Sequence, residues 1–284
     1  MDTPAEEVLT LTDGDGHRLF VSRWMPSGPP KAAVQIAHGW AEHRRRYARP
    51  GAGLVAAGYA VYADDHLGHG ETGLAAGGLG DFRPRGMEGV VDAVHVVTDR
   101  IRADLPGVPV FLLGHSWGSQ IAKRYARRWG AELAGLLLTG TTHTAGGGDR
   151  RRRLAPEGAT TAEERYAWLS SDPAEVRAYI EDPMCGFEAL EVRPADPGRG
   201  YLEEGDDAAI PKDLPILVFN GAEDPVGGKE GAEALGDHYS SVGLERVTAR
   251  SYAGGRHELF NDVMRDQVLA DVIAWLDEVV AARR

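Results

Sequence analysis

Val110-Phe111-Leu112-Leu113-Gly114-His115-Ser116-Trp117-Gly118 joins a short, wholly apolar run to the pattern G-x-S-x-G. Four consecutive apolar residues fit a strand buried on both faces, and Gln120–Arg128 beyond them suits a helix, so the serine stands where a strand turns sharply into a helix. Such a turn needs small residues at Gly114 and Gly118, because the backbone there passes close to its neighbours. With 37 glycines and nine serines in 284 residues, chance alone supplies roughly 0.15 matches to the pattern. The pattern therefore decides little by itself, and its position between strand and helix decides the reading.

Short, almost wholly apolar runs recur on either side, at Ala32–Ala37, Ala60–Ala63, Leu133–Leu138 and Ile216–Phe219. Helix-like stretches fall at about 46–57, 87–104, 117–130, 229–238 and 260–282, the last with Val263, Val268, Val272, Trp275 and Val279 spaced for one buried face. Strands apolar on both faces and alternating with helices predict a doubly wound α/β fold, with a mostly parallel sheet flanked by helices. Val8–Leu11 and Leu19–Trp24, separated by Asp13-Gly14-Asp15-Gly16, predict an antiparallel hairpin ahead of it. Over seventy residues separate the strand at 133–138 from the one at 216–219, too many for an ordinary connection, and they contain helix-like Ala162–Leu169 and Pro173–Ile180. Residues 143–212 are read as an inserted helical cap, and 1–142 with 213–284 as the core.

A serine hydroxyl is a poor nucleophile at neutral pH and needs a base, and the base needs a third group to fix its tautomer. Carboxylates Glu223 and Asp224 follow the strand at 216–219, and Asp224 is preferred because the Asp224-Pro225 break fixes a bend that aims one of the two inward. His257 comes after a last strand at 246–252 and follows the acid, whereas His38, His43, His66, His69 and His115 precede or adjoin the serine. His238 also follows the acid but falls in a helix. Attack on a carbonyl creates an oxyanion that needs about two fixed N–H donors. The backbone N–H of Trp117 is one candidate, and that of Trp40, in the loop after Ala33–Ala37, is the other, with Gly39 permitting close approach.

With these residues placed, the chain resembles the monoacylglycerol lipase and lysophospholipase branch of the α/β hydrolases, sometimes grouped with serine aminopeptidases. Four segments carry the resemblance: His38-Gly39-x-x-Glu42-His43, Asp65-His66-x-Gly68-His69-Gly70, Gly114-His115-Ser116-x-Gly118 and Gly255-Arg256-His257-Glu258. It implies an α/β-hydrolase fold, carboxylic-ester cleavage through Ser116, Asp224 and His257, an oxyanion hole at Trp40 and Trp117, and no cofactor. It also implies that Asp65, His66 and His69 stabilise loops. The same triad could serve a thioesterase, amidase, transacylase or cofactor-free perhydrolase, and a non-catalytic ligand-binding protein is the alternative of another class.

The cap departs from lipid-cleaving relatives, since Glu188 to Ile210 carries seven acidic and two basic residues, where a lipase would offer an apolar face to micelles or bilayers. Membrane or micelle contact is expected to be peripheral at most, and the substrate a small-molecule acyl ester. Candidate pocket residues are His38, Gly39, His115, His143, Trp168, Tyr179, Met184 and Phe187. Cys185, the single cysteine, excludes an internal disulfide and is read as a packing residue; no metal is expected. A formal charge of −12 argues against a nucleic-acid partner. The basic runs Arg44–Arg46 and Arg150–Arg153 are read as solvated charged surface. A start without basic residues or an apolar run, and no apolar stretch of bilayer length, lead to the expectation of a cytoplasmic protein.

Overall fold

The computed structural model describes residues 5–81, 85–143, 154, 157–187 and 206–283. Its strands are β1 (Glu7–Thr12), β2 (Arg18–Trp24), β3 (Ala33–Ala37), β4 (Ala60–Asp64), β5 (Val110–His115), β6 (Gly135–Thr139), β7 (Ile216–Gly221) and β8 (Val247–Tyr252). They form one sheet in the order β1-β2-β4-β3-β5-β6-β7-β8. The β1–β2 hairpin closes at Asp13, whose carboxylate accepts the N–H groups of Asp15 and His17, and β2 pairs antiparallel with β4. Every pairing from β4 to β8 is parallel, and parallel neighbours require crossovers.

The helices are α1 (Ala48–Ala56), α2 (Gly70–Ala75), α3 (Gly86–Asp104), α4 (Trp117–Trp129), α5 (Ala162–Tyr166), α6 (Pro173–Glu181), α7 (Gly228–Ser241) and α8 (Arg265–Ala281). Side chains along each central strand alternate between two cores. Val110 and Leu112 of β5, with Ile216 and Val218 of β7, meet α3, α4 and α7. Phe111, Leu113, Leu217 and Phe219 point the other way, to α1 and α8. The central strands β3 to β7 are thus almost wholly apolar because both of their faces are covered, with Gln35 of β3 bonded inside to Val94 O and Thr98, which is the physical content of the doubly wound pattern.

The last helix starts at Arg265, not at 260 as periodicity predicts. The Asp262 carboxylate accepts the N–H groups of Arg256 and Val263, so a side chain captures backbone donors and holds a turn where a helix would otherwise begin. Val263 consequently lies outside the buried stripe, 64% exposed. Helix α2 has no counterpart in the sequence reading. Between β6 and β7, α5 begins with a capping box of Thr161 and Glu164, and α6 with an Asp172 cap followed by Pro173. Arg150–Arg153 and most of the acidic segment lie outside the described residues, as do several other positions of the expected cap. Among the described residues no helix is long and apolar enough to cross a membrane.

Candidate active site

The chain leaves β5 and enters α4 through Ser116, which holds φ +54° and ψ −116°. Among the described residues only Ala41 shares such a positive φ without being glycine, a conformation costing an L-residue about 1–2 kcal/mol. Its neighbours make the turn possible. A Cβ on Gly114 would stand 2.4 Å from the Gly118 carbonyl, and one on Gly118 would stand 2.1 Å from the carbonyl of Ala37 and 2.4 Å from that of His38. Ser116 N–H donates to Thr139 O at 2.9 Å, and Ser119 N–H to Ser116 O at 3.0 Å. The backbone is thereby fixed and the hydroxyl carried at the carboxyl edge of the sheet, on the positive end of the α4 dipole.

At the same edge β7 delivers Asp224. Its N–H turns back onto Gly221 O, and Oδ1 accepts Val226 N–H at 2.8 Å and lies 2.9 Å from His257 Nδ1. Asp224 is 4% exposed, whereas the neighbouring Glu223 faces solvent, so the bend aims inward the carboxylate the sequence reading prefers. His257 is 2% exposed, and its ring packs between His115, centroids 4.7 Å apart, and Trp168, 4.8 Å apart. Gly140 leaves room for both histidines, since a Cβ there would stand 2.9 Å from each ring. Burial by itself would depress the His257 pKa, but the charge and hydrogen bond of Asp224, with Glu258 and Glu42 behind, outweigh it and raise it above the usual histidine value. Burial first and the charge of His257 second push His115 down to about 3. Burial likewise takes His69 to about 3 and His38 well below its ordinary value. Of these four imidazoles, His257 is the one tuned to accept a proton.

The loop after β3 packs onto the serine. A Cβ at Gly39 would come within 3.2 Å of Ser116 Cβ and 2.7 Å of Glu42 Oε1, so glycine is what lets this backbone approach. Trp40 sets its ring edge-on to Trp117, centroids 5.1 Å apart. His38 fixes the loop from beneath: Nε2 accepts the His66 N–H, so the proton sits on Nδ1 and is donated to Gly39 O. His66 bonds Asp64, His69 stacks on Trp117, and Asp65 accepts the N–H groups of Arg44 and Glu71. Asp65, His66 and His69 accordingly brace loops, as the resemblance implies.

The basic run Arg44–Arg46 departs from the solvated surface expected of it. Arg44 is fully buried on Asp65 and Glu71, Arg46 is 10% exposed between Glu42 and Glu258, and Arg45 alone is exposed. Three adjacent cations look like surface in one dimension; their carboxylate partners come from distant segments and become visible only after folding. The Arg46 cluster is also the part of the site that sequence reasoning missed. Glu42 accepts Gly39 N–H and Tyr47 O–H, Arg46 bridges Glu42 to Glu258, and Glu258 follows His257 directly. A signal existed in the spacing Glu42-x-x-x-Arg46, one helical turn apart. A cavity with room for about one water molecule lies against Glu42, Tyr47, His115 and Glu258.

Residues 157–187 close over these loops. His257 and Glu258 N–H groups donate to Trp168 O and Leu169 O, while Gly186 N–H and Tyr179 O–H both donate to Ala41 O. Phe187 reaches His69, and Met184 sits half-buried in the turn between α6 and Phe187. Six of the eight expected pocket residues, His38, Gly39, His115, Trp168, Tyr179 and Phe187, thus gather around Ser116 and its neighbouring loops. His143 does not join them: it is exposed and stacks on His238 of α7, centroids 3.8 Å apart, because the chain after β6 runs outward past α4, where Lys123 holds Thr142 O. Cys185 is half-buried, and burial pushes its thiol up, which makes it a slow nucleophile at neutral pH.

The model of the family described as serine aminopeptidase, S33, matches residues 28–264. The chain is 31% identical to a monoacylglycerol lipase of Mycolicibacterium smegmatis, over 92% of this chain and 93% of that one. It is 28% identical to the human monoglyceride lipase, over 98% and 93% of the two chains. Among solved structures it is similar to a thermostable carboxyl esterase from Bacillus coagulans in complex with glycerol, with a TM-score of 0.85, 27% identity and 97% and 99% of the chains covered.

Proposed function

Since the chain belongs to the serine aminopeptidase S33 family of α/β hydrolases, we propose that it cleaves carboxylic esters through an acyl-enzyme on Ser116. The observation that carries this reading is the buried His257 Nδ1–Asp224 Oδ1 bond of 2.9 Å, with the His257 ring against His115, the residue just before a serine on a strained strand-to-helix turn. Asp224 holds the proton of His257 on Nδ1, which leaves Nε2 as the base. Nε2 takes the Ser116 proton as Oγ attacks the acyl carbon, and the N–H groups of Trp40 and Trp117 receive the oxyanion. His257 then protonates the departing alcohol. Water repeats the sequence in reverse to release the acid.

Residues 143–212 serve as the cap that shapes the acyl pocket, with Trp168, Tyr179, Met184 and Phe187 among its lining. The relatives named above support monoacylglycerols and similar small acyl esters as the substrate class. A fluorophosphonate probe with intact-mass readout tests the mechanism. One adduct on Ser116 is expected, absent in Ser116→Ala and slowed by orders of magnitude in His257→Ala; equal labelling of the His257 variant refutes it. A p-nitrophenyl ester series of increasing acyl length then measures the pocket.

A further inference from the structure

Where the turn at 182–187 meets the loop after β3, three side chains of different chemistry converge: His43, Asp182 and Cys185. Their ligand atoms, one from each residue, all lie within 4.8 Å of one another, and His43 Nε2 is 2.8 Å from Asp182 Oδ2. The backbone presets them. Asp182 Oδ1 accepts Met184 N–H and Asp182 O accepts Cys185 N–H, a turn that sets the carboxylate and the thiol side by side. The two bonds onto Ala41 O keep this turn against the His43 loop. His43 is 3% exposed, but Asp182 and Cys185 are only half-buried, so solvent has access to the group.

Imidazole nitrogen, carboxylate oxygen and cysteine sulfur are the donors of a borderline-soft divalent cation, whereas calcium and magnesium take oxygen alone. Ligands about 2.0–2.3 Å from a tetrahedral ion lie roughly 3.3–3.7 Å from each other, so the three donors need to shift by only about an ångström. Two other groups of possible ligands occur among the described residues, Asp13 with Asp15 and His17, and His95 with Asp99 and Glu132. Neither contains sulfur, and the Asp13 carboxylate is already committed to its own turn.

We infer that His43, Asp182 and Cys185 form a site for one Zn²⁺ or a cation of like softness, which would staple the 182–187 turn to the loop that carries Gly39 and Trp40. The ion sheds water and takes lone pairs from His43 Nε2, Asp182 Oδ2 and Cys185 Sγ. The thiol proton goes to solvent, the Nε2 proton that His43 donates to Asp182 passes through solvent to Nδ1 so that the ring stays neutral, the His43–Asp182 hydrogen bond is exchanged for two coordination bonds, and one water keeps the fourth position. Thiolate and carboxylate together cancel the ion's charge, so the site closes neutral. The inference concerns ion binding and holds whichever bond Ser116 cleaves.

Cys185 is the single cysteine of the chain, which makes alkylation of the whole protein a site-specific readout. The full-length protein, stripped with chelator and freed of it, is treated with iodoacetamide with and without Zn²⁺. Zn²⁺ at a modest excess is expected to slow alkylation of Cys185 at least tenfold, and Mg²⁺ to leave it unchanged. Asp182→Asn, which keeps a hydrogen-bonding partner for His43, and His43→Gln should each raise the Zn²⁺ needed by about 10–100-fold or more. Alkylation that Zn²⁺ does not slow at hundredfold excess overturns the site. So does protection that persists undiminished in the well-folded Asp182→Asn variant.

Discussion

Replacing Arg46 by methionine removes the cation that joins two loops of the active site while roughly keeping its volume. Arg46 Nη1 lies 2.7 Å from Glu42 Oε2 and 2.7 Å from Glu258 Oε1, and Nη2 lies 2.6 Å from Glu258 Oε2. The three side chains are 10%, 3% and 5% exposed, so water cannot screen what the substitution leaves behind. Two carboxylates against one guanidinium form a buried group of formal charge −1; the methionine variant leaves two buried carboxylates with no cation. Removing one partner from a buried ion pair costs about 3–5 kcal/mol, which at roughly 2–3 °C per kcal/mol in a chain of this size lowers Tm by roughly 6–15 °C. Activity should fall as well, because Glu42 holds Gly39 N–H and Glu258 is bonded to His257's chain. A displacement of about an ångström at either loop is worth about 100-fold, read in kcat rather than in KM alone. Removing one of the orphaned charges should restore part of the loss, so Arg46→Met with Glu258→Gln is expected to be at least about 1 kcal/mol more stable than additivity allows. Urea melts of the wild type, both single variants and the double variant, with p-nitrophenyl butyrate kinetics on each, make the measurement. A single variant within 1 kcal/mol of wild type, or strictly additive losses, refutes the brace.

On the proposed mechanism His257 works as a base only when neutral, and its pKa is raised above 6.5 by Asp224, against burial; the acid limb of kcat/KM should therefore have its midpoint above pH 6.5. In Asp224→Asn burial dominates and the limb moves below that value, while the rate falls about 10⁴-fold from loss of the tautomer; an unmoved limb contradicts the assignment. Gly118→Ala forces a Cβ to within 2.1 Å of Ala37 O, so a loss of about 2–3 kcal/mol with collapse of activity is expected. Gly28→Ala, with no atom within 4 Å of its Cβ, is the control and should be near neutral by thermal melt. Burial depresses the Lys123 pKa from 10.5 to about 7. The unfolded chain then binds more protons than the native one between those values, so the lysine penalty is complete below pH 7 and fades as pH rises. Wild-type stability should gain about 2 kcal/mol from pH 7 to pH 9 relative to Lys123→Met, and parallel stability curves would contradict it.

What could be read in advance was whatever local patterning dictates. The strands β3 to β7 are almost wholly apolar on both faces, and a run such as Val110–Leu113 announces that without knowledge of its neighbours. The strained turn at Ser116 was legible because its steric demands fall on adjacent glycines. Asp224 and His257 were legible by chain order after strands. The Arg46 brace was not, because Glu42 and Glu258 lie 216 positions apart and only folding brings both to one guanidinium. Val263 was misplaced for a related reason: its periodicity is helical, but the Asp262 side chain outbids the helix for its N–H. His143 shows the limit beyond strand ends, where nothing local fixes direction.

The insertion between β6 and β7 is bound to both arms of the active site rather than resting on it. Its segment 167–170 receives the N–H groups of His257 and Glu258 and the guanidinium of Arg256. Its turn at 179–187 supplies both donors that the Ala41 carbonyl accepts. Ala41 holds φ +54°, a conformation that persists only when its surroundings over-determine it, and these two bonds are part of what does so. Swinging the whole segment away would therefore unpair backbone groups at His257 and at the loop that carries Gly39 and Trp40 together. On the proposed mechanism, the residues expected to select the acyl chain and those expected to position the reacting groups share one set of hydrogen bonds. Changes in this segment should consequently act on the rate of chemistry as well as on substrate choice, and access to Ser116 has to come through side chains and residues outside 167–187 rather than through displacement of that segment as a lid.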